Sequence, residues 1–143
     1  MISARQNTQT RQFAPTEFNL SEVLIPQNNS DQSDLVYPMI AHLSRKSGDR
    51  WLTWVGAKNL NKSLIEEYGF SAKNVRIINC EDDNNLLATF WDALHNGTSA
   101  YVVCSLHEGM SLDARQKEYL KHAAKNGNAQ GLILSSVNSA FNF

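Results

Sequence analysis

The hexapeptide Arg50–Val55, Arg-Trp-Leu-Thr-Trp-Val, leaves this chain the fewest choices. Trp, Val and Thr prefer the pleated backbone. A run that is polar only at its charged start and at one Thr suits a strand covered on both sides, with its first residue at the surface. It reads as the middle strand of a small open parallel sheet. Glu22–Ile25, Val75–Cys80 and Tyr101–Leu106 repeat the theme, and Gly131–Ser135 makes a fifth run.

Helical patterns fill the gaps. Pro26 closes the first run, since it cannot extend a central ladder, and Gln27–Asp34 is a polar turn without Gly. Leu35–Ser47 has apolar side chains at Leu35, Val36, Met39, Ile40 and Leu43, the spacing of one helix face. Pro38 admits two starts for it. With Asp34 as cap, Pro38 falls just past the first three helical positions and forfeits a bond to the capping carbonyl; with Pro38 as the first helical residue nothing is lost. Gly48 ends the helix. A helix of about two turns follows around Asn61–Tyr68, stopped by Gly69. The acidic turn Glu81-Asp82-Asp83 caps a helix over Asn84–Asn96. Ser111, with Asp113 in the first turn, is the expected cap of a helix reaching about Lys125, closed by Asn126-Gly127-Asn128.

Strand and helix therefore alternate, which predicts an α/β fold: an open, mostly parallel sheet with helices on both faces and right-handed crossovers. A chain of 143 residues closes one core of ordinary size. The expected division is a flexible polar N-terminal segment at 1–20, one domain at 21–136 and a short tail at 137–143. Phe13 and Phe18 are the apolar exceptions in the first segment.

Thirteen basic and fourteen acidic residues give a formal charge of -1, too little excess to draw the protein to nucleic acid or anionic lipid. The Lys and Arg residues look scattered, so no local patch is expected. Cys80 and Cys104 lie in strand-like runs, where reduced thiols fit a cytoplasmic protein. No stretch approaches the roughly 18 apolar residues of a membrane span.

An open parallel sheet keeps its ligands beyond the carboxyl ends of its strands. A nucleotide enzyme would place Gly-x-x-x-x-Gly-Lys-Ser/Thr after the first strand, because small turns bring amides to the phosphates. Pro26–Asp34 has neither Gly nor Lys, and Asp31 and Asp34 repel phosphate. Tyr101–Leu106 ends in Cys104, Ser105 and Leu106 where a magnesium-holding Asp would stand. Glu81, Asp82 and Asp83 read as a cap and solvated turn before a metal cluster. His107 and Glu108 are an acid–base candidate without a nucleophile signature. His42, His95 and His122 have no ligand at matching spacing, no Ser sits in a Gly-x-Ser-x-Gly elbow, and Cys104 lies inside the sheet. No catalytic, cofactor or metal residue is expected.

A protein partner remains. Arg50 and Trp51 at the start of the strand, Val55, Gly56 and Lys58 at its end, Leu64 in the short helix and Lys73 beyond it offer the Arg, aromatic and aliphatic contacts that interface hot spots favour. The plainer reading makes whichever of Trp51 and Trp54 faces inward simply core.

Several pieces together resemble one family. They are Glu22-Val with its following turn, Arg50-Trp-Leu-Thr-Trp-Val, Leu60…Leu64…Gly69-Phe70 leading to Lys73 and Val75, Asn96-Gly97…Tyr101-Val-Val, and Ala123-Ala124…Gly127-Asn128-Ala129-Gln130-Gly131-Leu132-Ile133. In order and spacing, from about Glu22 to Ser136, they resemble the SulA family of bacterial SOS-response inhibitors of cell division. The resemblance implies a RecA-like fold, P-loop-NTPase-like in topology and lacking the P-loop. It implies binding to the tubulin-like GTPase FtsZ, a block on its polymerisation and GTPase activity, a homodimer, and turnover by the Lon protease. Carried over by position, the partner-binding residues are Arg50, Val55, Leu64 and Lys73, with Trp51 added from the composition of the strand. Leu64 stands where the family has a larger Trp. The chain ends at Phe143, short of the family's polar C-terminal extension, which weakens the expectation of a Lon signal. The rival readings are a nucleotide-binding regulator or weak ATPase on the same fold, and an accessory protein that binds a recombinase.

Overall fold

The computed structural model describes residues 19–26, 32–58 and 60–137. The segment expected to be flexible at 1–20 lies outside these residues except for Asn19 and Leu20, and so does the tail beyond Val137. In chain order the elements are β1 Leu20–Pro26, α1 Gln32–Arg45, β2 Trp51–Val55, α2 Lys62–Glu67, a 3-10 turn Ala72–Asn74, β3 Val75–Ile78, α3 Asp83–His95, β4 Ser99–Ser105, α4 Ala114–Gly127 and β5 Gln130–Val137.

The five strands form one sheet in the order β1-β5-β4-β2-β3, with every pairing parallel. This is the open α/β sheet expected from the sequence. The middle strand is β4, however, and not Arg50–Val55, which forms β2 beside the β3 edge; Arg50 itself precedes the strand. A continuous apolar run reports that a strand is covered on both faces. It does not report the strand's place, which the crossovers decide.

One face of the sheet is covered by α3 and α4, whose Leu86, Phe90, Leu94, Leu120 and Ala124 pack on Val55, Val102, Cys104 and Ile133. The other is covered by α1, through Val36, Ile40 and Ala41, with Ile65 of α2 and Phe70 at the margin, over Leu52, Trp54, Val103 and Leu134.

Helix α1 settles the Pro38 question in neither expected way. It begins at Gln32, earlier than either start allows, and holds Pro38 inside. An interior proline costs about 3 kcal/mol. Burial of Val36 and Ile40, 6% and 0% exposed, contributes about 2 kcal/mol each and outweighs it. The cap of α4 is Asp113, not Ser111: its carboxylate accepts from Gln116 N at 2.7 Å while Gln116 Oε1 accepts from Asp113 N at 2.9 Å. That reciprocal box satisfies two free amides, which a Ser two residues earlier cannot reach. Asp82 caps α3 by accepting from Asn85 N at 2.8 Å. At the far ends of these two helices a Cβ on Gly127 would fall on the Leu94 carbonyl. Only glycine lets α4 finish this close to α3, and Asn128, at φ 53°, then turns the chain into β5.

Candidate functional site

The two ends of the sheet differ in chemistry. At the carboxyl end, α2 follows β2 onto one face and α4 follows β4 onto the other, so a crevice opens between neighbouring strands. A cavity of about 280 Å³ lies there, lined by Ile25, Tyr37, Trp54, Lys58, Leu106, Glu108, Leu134 and Ser135 among others. Trp54 donates to Ser105 Oγ at 2.8 Å and meets the Tyr37 ring edge to face. Burial, and secondarily the neighbouring Tyr68, raises the Tyr37 hydroxyl above its ordinary pKa. It therefore stays a neutral donor, 3.4 Å from the Lys58 carbonyl. Gly56 is needed at this crevice: its φ is +82°, and a Cβ there would lie 2.8 Å from the Ser105 carbonyl. Nearby, His107 meets Asp83 Oδ1 at 2.6 Å and the Cys80 carbonyl at 3.1 Å, tying the end of β4 to the start of α3. Burial, with a smaller contribution from Cys80, pushes the Cys104 thiol up to about 12 and keeps it from acting as a nucleophile. Among the described residues no group of three His, Cys, Asp or Glu side chains can hold a metal ion, and no helix is long and apolar enough to cross a membrane.

The amino end of β2 and β3 is a basic rim. Arg50 spans three carbonyls, donating to Asn128 at 2.8 Å, Gly127 at 2.9 Å and Gly97 at 3.3 Å. Its charge sits where α4 points its negative end, and charge-assisted bonds to the free carbonyls of that last turn are favourable. Asn74 donates to the Gly48 carbonyl at 2.6 Å and the Arg50 carbonyl at 3.5 Å, which fixes the 3-10 turn and its exposed Lys73 beside the start of β2. Arg45 donates to the Gly69 carbonyl at 2.6 Å, and Ser71 N donates to Ser44 Oγ at 2.9 Å. Arg76 lies over the Trp51 ring, 5.0 Å from its centroid, and donates to Thr53 Oγ1 at 3.2 Å and Thr98 Oγ1 at 2.9 Å.

Residues 45–50 and 73–76 thus bring Arg45, Lys46, Arg50, Lys73 and Arg76 together against the single acid Asp49. The three guanidinium groups are held by carbonyl and hydroxyl oxygens, and among the described residues no carboxylate forms a salt bridge with them. Five basic side chains against one acid leave these two segments with a net positive charge. Basic residues that look scattered in the sequence are gathered by the fold, contrary to expectation.

The residues expected to meet a partner divide accordingly. Arg50, Trp51 and Lys73 share the rim, and Trp51 is 37% exposed while Trp54 is buried. Val55 lies at the opposite end of β2, about 13 Å away by strand rise. It is fully buried, so its side chain belongs to the core. Leu64 is half-buried on α2, where its amide donates to the Asn61 cap at 2.9 Å. Sequence reasoning missed Arg45, Lys46 and Arg76. A charge inside the run Val-Arg-Ile-Ile was the available signal for the last of these.

No curated protein matches the chain in sequence. Among solved structures, the crystal structure of SulA from Pseudomonas aeruginosa is similar, with a TM-score of 0.74 and 25% sequence identity over 83% of this chain and 98% of that one. The family model described as cell division inhibitor SulA matches residues 19–131. With most of the described domain inside that match, and with the same fold in a solved member, the chain belongs to the SulA family of cell division inhibitors.

Proposed function

We propose that this chain is a cytoplasmic inhibitor that binds FtsZ, blocks its polymerisation and GTPase activity, and so halts septum formation during the SOS response. Membership of the SulA family carries this reading. The family is one of inhibitors and not of enzymes. Such a protein needs no chemistry of its own; it must cover about 800 Å² on a free subunit, the area of an ordinary interface. In this reading Trp51 and Lys73 touch FtsZ at the basic rim, Arg50 holds that rim in shape, Leu64 adds an apolar contact, and Val55 acts by supporting β2 from within. The charge of the rim suits an acidic surface on the partner. Self-association as a homodimer and turnover by Lon complete the proposal.

The test is assembly of the matching FtsZ, followed by light scattering and GTP turnover as the inhibitor is titrated. Both signals should fall in proportion to the inhibitor added; assembly and turnover undisturbed by a large excess would end the proposal. The cavity at the carboxyl ends favours one second reading, a nucleotide-binding regulator. Magnesium-dependent binding of ATP in a calorimeter would support it.

A further inference from the structure

Arg76 interrupts an otherwise apolar strand. It stands opposite Thr53 in the β2–β3 pairing, so its side chain shares a face of the sheet with Thr53 and, two residues earlier on β2, with Trp51. Thr53 and Ser99 are fully buried, and their hydroxyls meet at 2.8 Å. The Arg76 guanidinium docks onto this pair through two of its three nitrogens: Nε donates to Thr53 Oγ1 at 3.2 Å, and Nη2 donates to Ser99 Oγ at 3.3 Å and Thr98 Oγ1 at 2.9 Å. Thr98 is itself held, donating to Asn96 Oδ1 at 2.8 Å. The group lies over the ring of Trp51, which is 37% exposed. Among the described residues the third nitrogen, Nη1, forms no hydrogen bond, and no carboxylate forms a salt bridge with Arg76.

We propose that Arg76 is the residue of the rim that receives an acidic side chain of the partner, with Trp51 as its backing; the inference deepens the reading of FtsZ inhibition above and rests on it. Neutral hydroxyls orient the guanidinium without neutralising it, so the carboxylate that pairs with it comes from outside the chain. An acid accepting from Nη1 forms a charge-assisted bond with a group already held in place. Little rotamer freedom is then lost on binding. Lysine is no substitute, because an ammonium has no plane to lay on the indole and no edge to bond several hydroxyls at once. The ring and the guanidinium work as a unit: each holds the other at the surface, and both are residue types on which interface energy concentrates.

Inhibition of FtsZ assembly by the full chain, followed by light scattering, tests this in a double-mutant cycle. Arg76→Gln keeps a donor but not the charge, and should raise the half-inhibiting concentration about 10-fold at about 50 mM salt and less at about 300 mM. A merely structural role would give the same loss at both. Arg76→Lys should lie nearer to Arg76→Gln than to wild type. Trp51→Leu should weaken inhibition by a similar factor, and the double variant should be no weaker than the worse single one. Circular dichroism shows whether each variant is folded. Should Arg76→Gln not fold, Thr98→Val decides: it removes one orienting bond from an exposed position and should raise the half-inhibiting concentration about 3-fold; wild-type potency would then overturn the contact. A wild-type chain that leaves assembly untouched would overturn the FtsZ reading and this contact with it. An inhibitor whose Arg76→Gln or Arg76→Lys variant matches wild type, whose Arg76→Gln loss ignores salt, or whose Arg76 and Trp51 losses multiply would overturn the contact alone.

Discussion

Replacing Arg50 by alanine removes three hydrogen bonds at once, those to Gly97, Gly127 and Asn128. Charge-assisted bonds of this kind are worth up to about 3 kcal/mol each when buried. Arg50 is half-buried and water can reach the vacated carbonyls, so the sum is discounted to about 2 kcal/mol. For a chain of this size that lowers the melting temperature by roughly 5–10 °C and the urea midpoint by about 1 M at unchanged slope. Arg50→Lys should recover less than half of the loss, because a single ammonium on a flexible stem cannot span three carbonyls. Urea unfolding followed by tryptophan fluorescence measures this directly. Equal midpoints for wild type and Arg50→Ala would refute the assignment of Arg50 as the clamp of the rim. Any loss of inhibition in that variant must be read against its folded fraction.

Lys73→Glu should leave the urea midpoint unchanged, since the side chain is exposed, and should raise the concentration needed to halve FtsZ assembly about tenfold. Wild-type inhibition should weaken between about 50 and about 300 mM salt as the rim is screened; inhibition insensitive to salt would contradict the charged contact, and competition by duplex DNA would redirect it to nucleic acid. Gly127→Ala should destabilise the domain by about 3 kcal/mol or more, read from its denaturation midpoint, because the Leu94 carbonyl occupies the place of the new methyl group. The Glu22 carboxylate is held below its usual 4.5 first by its hydrogen bond to Lys117, at 2.9 Å, then by the Ser135 hydroxyl. Its contribution to stability is full above the unfolded value and fades as pH falls through the lowered folded one. Glu22→Gln should therefore flatten the acid limb of the stability curve; an unaltered limb would show that the pair contributes nothing.

What could be read from the sequence was what depends on neighbours in the chain. Asn61 and Asp82 cap their helices through amides three residues on, and the apolar periodicities that predict helices and strands are equally local. The Ser111 expectation failed by two residues because a hydroxyl and a carboxylate both suit a cap, and only Gln116 reaching back to Asp113 decides between them. Odd and even positions put Trp51 and Trp54 on opposite faces. Which of them is covered depends on Tyr37 and Ser105, distant in the chain. The rim was least legible of all. It joins residues 45–50 to 73–76 through the β2–β3 pairing and Asn74, and nothing in the spacing of the basic residues foretells that meeting. Val55 shows the converse: its position in the family pattern suggested contact, and only the helices α3 and α4 above it make it core.

Among the described residues β1 pairs only with β5: Leu20 aligns with Gly131 and Pro26 with Val137. A ribosome must therefore make the chain through β5 before β1 can find its neighbour, and closing a loop of more than a hundred residues before any contact rewards it slows folding. Until then β1 is an unpaired strand waiting in the nascent chain, open to proteases and to foreign edges. The sheet therefore gains its β1 edge only after the segment reaching Val137 has been made, so β1 and β5 complete the fold together.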